Sequence, residues 1–105
     1  MSEKITRGSG NVFEDLGFDH PEEYQAKAEL ALHIITIIAD RALTQKEAAT
    51  RIGATQPDIS KLKRGQLQGF TLDRLFSFLL RLNRNIQIRV TKAKGKSGKL
   101  EMVAA

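Results

Sequence analysis

Gln56, Ser60, Lys61 and Arg64 crowd polar and cationic side chains into one short stretch, and their donors and acceptors suit the edges and phosphates of duplex DNA. A Gln amide can bond adenine bidentately in the major groove, which makes Gln56 the first candidate for base readout. Lys61 and Arg64 suit a phosphate, the target of most protein–DNA hydrogen bonds, or a base edge. Ser60 and Thr55 add hydroxyl groups beside them. Gln45 stands at an earlier helix start, where free backbone amides favour a phosphate. Each residue also has a plainer reading. Thr44 and Thr55 read as helix caps, Gln45 as a local capping or packing group, Gln56 as a solvent-facing residue, and Lys46 and Arg51 as a solvated face.

Other chemistries find little support. His20 and His33 have no carboxylate at metal-ligand spacing, so no metal or other cofactor is expected. The acidic residues between positions 14 and 29 read as a solvated helix face, because neither a nucleophile nor a phosphate loop accompanies them. The chain has no Cys, which excludes disulfides and thiolate chemistry. With 105 residues it has too little span to enclose a substrate easily, and no enzyme is expected.

Two short helices must hold the candidate residues. Thr44 followed by Glu47 is a capping box that opens the first, and Gly53 closes it. Thr55-Gln56-Pro57-Asp58 repeats the same type of start, and Gly65 ends the second helix. Two short helices around a glycine-containing turn form a helix-turn-helix unit over 44–65. Its packing demands are met by Ala49, small on the inner face of the first helix, and by Gly53, free to take positive φ. Ile59 and Leu62 anchor the second helix, and Ala48 and Ile52 complete the contact.

Around this unit the periodicity predicts further elements. Val12, Phe13, Leu16 and Phe18 form a short apolar cluster suited to one turn. Asp19-His20-Pro21-Glu22 starts a long helix to about Arg41, with a core stripe of Ala26, Leu30, Ile34, Ile37 and Ile38. Leu32 and Ile35 lie off that stripe. Residues 65–69 read as a glycine-bounded loop. Thr71 caps a helix through about Leu82, whose core side is Leu72, Leu75, Phe76, Leu79, Leu80 and Leu82. Ile86, Ile88 and Val90 alternate with polar residues, which is the strand period. A lone strand is marginal, so pairing with the same strand of a second subunit is expected, with Phe76 and Leu80 nearby in the interface.

Charge divides along the chain. Residues 1–40 carry three Lys/Arg against eight Asp/Glu, residues 41–65 six against two, and residues 66–105 eight against two. The net charge is +5. The basic part suits a phosphate backbone, and the acidic part offers a second surface. The organisation expected is a flexible arm at 1–11, one domain at 12–91 with its dimerisation strand at 86–91, and a basic flexible tail at 92–105. No apolar run approaches the ~18 residues needed to span a membrane. The N-terminus lacks the apolar stretch of a signal peptide, so a cytoplasmic location is expected.

At Gln45, Ala49, Gly53, Ile59 and Leu62 the chain resembles the Cro/repressor-like (XRE-type) helix-turn-helix family. Its order of elements extends the likeness: 11–18 before the long helix, then Leu43-Thr44-Gln45, Ile59-Ser60-Lys61-Leu62, Arg64-Gly65, the run 70–75 and the terminal Ile86-Gln87-Ile88. This order is similar to the HigA-like antitoxin branch. The resemblance implies a mainly α, lambda-repressor-like domain of five helices with one C-terminal strand used in dimerisation. It further implies a repressor homodimer on a palindromic operator and a RelE/HigB-like toxin as partner. A stand-alone regulator of the same family, or a protein-interaction module on this scaffold, are the rival readings. A pure scaffold has no need for Gln56, Lys61 and Arg64 together.

Overall fold

The computed structural model describes residues 21–103. The apolar turn expected at 12–18 and the helix start at Asp19 and His20 lie outside the described residues. Four helices are described: α1 (Pro21–Asp40), α2 (Gln45–Ile52), α3 (Gln56–Lys63) and α4 (Leu72–Arg81). The mainly helical expectation holds, and of the five helices and one strand expected, four helices and no strand occur among the described residues. Residues 86–91 run on after α4 without a ladder. A ladder needs a second strand, and the described residues offer none.

Each of the four described helices ends in the same way. A residue in the left-handed region follows its last turn: Ala42 (φ 54°), Gly53 (φ 74°), Gly65 (φ 73°) and Asn83 (φ 64°). The next amide then reaches back to a carbonyl of the last turn. Leu43 donates to Ile38 at 3.0 Å, Ala54 to Ala49 at 2.8 Å, Gln66 to Lys61 at 2.9 Å and Arg84 to Leu79 at 3.0 Å. These bonds satisfy carbonyls that the helix leaves open and turn the chain sharply. Short connections follow, and they let four helices fold over one core.

The core stripe of α1 is Ala26, Leu30, Ala31, Ile34, Ile37 and Ile38, all buried. It meets Ala48, Ala49 and Ile52 of α2, Ile59 and Leu62 of α3, and Leu75, Phe78 and Leu79 of α4. Leu82 joins them from just beyond α4. The expected core side of α4 needs correcting. Phe78 is buried where Leu80 was expected, and Leu80 is 56% exposed. Leu72 and Phe76 are only partly buried at the edge of the core. The 65–69 loop also contributes more than a glycine-bounded link, because Leu67 and the adjoining Phe70 are both buried. Arg41 ties the ends of α1 and α4 together, donating from Nη2 to the Leu82 carbonyl at 2.7 Å.

The C-terminal segment returns to the start of α1. The Leu100 amide donates to Glu22 Oε1 at 3.3 Å, and Met102 packs partly buried against the core. Between these contacts and α4, the lysines at 92, 94, 96 and 99 are exposed.

Candidate nucleic-acid interface

Thr55 begins the interface by capping α3. Its hydroxyl accepts from the Asp58 amide at 3.2 Å, and its own amide donates to Asp58 Oδ2 at 3.1 Å. The same reciprocal box opens α2, with Thr44 and Glu47 bonded at 3.0 and 2.8 Å. Each box satisfies two amides that would otherwise lack partners. Thr71 caps α4 through the Arg74 amide at 3.1 Å. Thr55 is thus engaged as a cap, and the first residue free to face a ligand is Gln56.

The inner side of α3 is fixed by Ile59, fully buried, and Leu62. At about 100° per residue, the opposite side carries Pro57, Ser60, Lys61 and Arg64, with Gln56 at its margin. Gln56, Pro57, Lys61 and Arg64 are exposed and Ser60 is half-buried. Pro57 was not singled out by sequence reasoning. Its ring adds an apolar surface to the middle of the polar face, of the kind that can meet a thymine methyl. Lys63, also exposed, adds a flanking cation. Gln45 is half-buried at the first position of α2.

The turn between α2 and α3 depends on Gly53. Its φ of 74° belongs to the left-handed region, and a Cβ there would stand 3.1 Å from Arg81 Nη1. Ala49 lies buried on the inner face one turn earlier. Gly53→Ala is expected to destabilise the fold by about 1–2 kcal/mol, the usual cost of a side chain in this conformation. Urea denaturation of the variant against wild type checks this value.

Asp58 carries a second connection. Its Oδ2 also receives Arg74 Nη2 at 2.9 Å, which links α3 to α4. Burial alone would raise the carboxyl pKa. The Thr55 hydrogen bonds and the Arg74 charge outweigh that effect and hold it below the ordinary carboxylate value. A carboxylate lowered in this way stabilises the fold at neutral pH, and the contribution fades as pH falls through the carboxylate range. Sequence reasoning saw the Thr55–Asp58 start but not the Arg74 partner.

No cluster of three or more His, Asp or Glu able to hold a metal occurs among the described residues. No helix there is long and apolar enough to cross a membrane.

The comparisons agree with this geometry. Residues 12–91 match a family model described as a helix-turn-helix domain. A solved structure of an XRE-family transcriptional regulator is similar, at 34% identity and a TM-score of 0.73, covering 80% of this chain and 97% of that one. Curated proteins give no match. With the family model spanning most of the chain, and a solved relative matched over nearly its full length, this chain belongs to the XRE-type helix-turn-helix family.

Proposed function

We propose that this chain is a sequence-specific DNA-binding transcriptional repressor that works through α3. The observation that carries the reading is the contrast between the two sides of that helix. Ile59 and Leu62 are buried, while Pro57, Lys61 and Arg64 are left free beside Ser60. Such a helix, braced from behind and polar or basic in front, suits a major groove.

The finer reading is a homodimer on a palindromic operator, with half-sites about one helical turn apart. It is supported by apolar side chains that one chain leaves uncovered. Ile88 is 75% exposed and Val90 93%, while Ile86 and Phe76 are partly buried and Leu80 is largely exposed. Pairing of 86–91 with its copy would satisfy the open backbone and cover these residues.

We further propose the role of antitoxin in a type II toxin–antitoxin pair, neutralising a RelE/HigB-like toxin and repressing its own operon. The order of motifs along the chain supports it. So does the acidic first part of the chain, where eight Asp/Glu stand against three Lys/Arg over residues 1–40 and would suit a basic partner.

Footprinting on the DNA upstream of the chain's own coding region tests the repressor reading. Two protected half-sites about one turn apart are expected at low salt, and no protection would sink the claim. Co-expression with a neighbouring small basic reading frame tests the antitoxin role. A stable complex and restored growth are expected, while an unrelated neighbour would favour a stand-alone regulator.

A further inference from the structure

Among the described residues, Arg74 makes a side-chain hydrogen bond that ties the start of α4 to the start of α3. Its backbone amide is held by the Thr71 cap. Its guanidinium lies 5.0 Å from the Phe70 ring centre and 5.4 Å from that of Phe78. Those two rings are buried and meet edge to face at 6.1 Å. A guanidinium placed over aromatic rings gains cation–π attraction and loses rotational freedom. From this seat Nη2 reaches Asp58, whose same oxygen accepts the Thr55 amide immediately before Gln56.

We propose that Arg74 is a positioning residue for base readout, acting through Asp58 to fix the orientation of the α3 N-terminus. The inference rests on α3 being the helix that reads DNA. The chain of contacts runs Phe70 and Phe78, Arg74, Asp58, Thr55 and then the helix start carrying Gln56 and Pro57. A cap alone can hold one end of a helix to its own first turn. Ile59 packs that turn on the core without directional contacts, and the Arg74 bridge adds a directional polar tie from that end to α4. Bonding to Asp58 occupies Arg74 on the protein rather than on phosphate, although its side chain keeps 41% exposure.

The test uses the full chain and a duplex enriched from a random-sequence library by the wild type, against a scrambled duplex of the same composition. The ratio of the two affinities should fall about tenfold in Arg74→Gln, the size expected for coupled neighbours. Asp58→Asn should lower it similarly, and the double variant should lose little more. Arg74→Lys keeps the charge but loses the flat group over the rings, so it should recover only part of the ratio. Affinity for the scrambled duplex and its dependence on salt should not change.

An unchanged ratio in Arg74→Gln would overturn the inference. So would a parallel loss on both duplexes with the salt slope reduced by about 0.9, the mark of one lost phosphate contact. Asp58→Asn, which leaves the aromatic packing intact, decides the matter if Arg74→Gln does not fold. A wild type that enriches no sequence would overturn the base-reading function itself, and the positioning role with it.

Discussion

Ile59→Ala is expected to destabilise the protein by about 2–5 kcal/mol, the range for removing a large aliphatic side chain from a closed core. Ile59 is fully buried in the core cluster that α1, α2 and α4 share with α3. Its loss leaves a void at the inner face of the helix that carries the interface. Small domains are stable by only about 5–15 kcal/mol, so this single change removes a large share of the total. Urea denaturation should show a lower midpoint with an unchanged slope. Lys61→Ala, on the exposed side of the same helix, should change stability by less than about 0.5 kcal/mol. A small loss for Ile59→Ala would mean that α3 is not braced as described.

Ile88→Lys is expected to turn the proposed dimer into a monomer and to remove most operator affinity. At 75% exposure Ile88 adds little to the core of one chain. The variant should therefore keep its helices and its melting temperature as a monomer. In a self-paired strand, each chain would bring a lysine to the shared apolar face and lose the apolar contact. Each freed monomer would hold one half-site only, and the gain from linked binding would vanish. Ile86 would be a poorer choice, because it also packs on the core. Sedimentation and a gel-shift titration measure both effects. A wild type that is monomeric at the concentrations where it binds DNA would refute strand pairing.

Local chemistry made much of the fold legible in advance. The α1 stripe followed the helix period, and Thr44, Thr55 and Thr71 were readable as caps because the residues that complete them lie three positions on. Gly53 and Gly65 announced two of the four left-handed ends, and Asn83, a residue type that tolerates positive φ, announced a third. Ala42 did not, since nothing in an alanine signals positive φ; the next residue, Leu43, packs partly buried against the core. The choice between Phe78 and Leu80 was equally hidden. Phe78 and Leu80 stand at opposite edges of the wide apolar face of α4, across from Asp73, Arg74, Ser77 and Arg81, so periodicity could not say which edge would turn inward. Leu67 and Phe70 lay in a stretch that glycines mark as a loop, and loops can still anchor in a core.

The interface divides along the same line. Its residue types were visible because they cluster in ten positions. The bridge from Arg74 to Asp58 was not, because the partners are 16 residues apart and meet only through the packing of α3 on α4. The segment at 99–102 belongs with it. Met102 reaches the core and Leu100 bonds Glu22 across the length of the domain, and no local pattern forecasts such contacts.

Sequence readout by the outward side of α3 is the central property of this protein. Fluorescence anisotropy with the duplex upstream of the chain's own coding region, and with a scrambled duplex, measures this for the wild type, Gln56→Ala and Arg64→Ala. Clear preference for the upstream duplex is expected in the wild type, with a loss of about 1–3 kcal/mol for a variant that removes a base contact. Folded wild type that binds both duplexes equally, or two variants that bind as well as wild type, would contradict it.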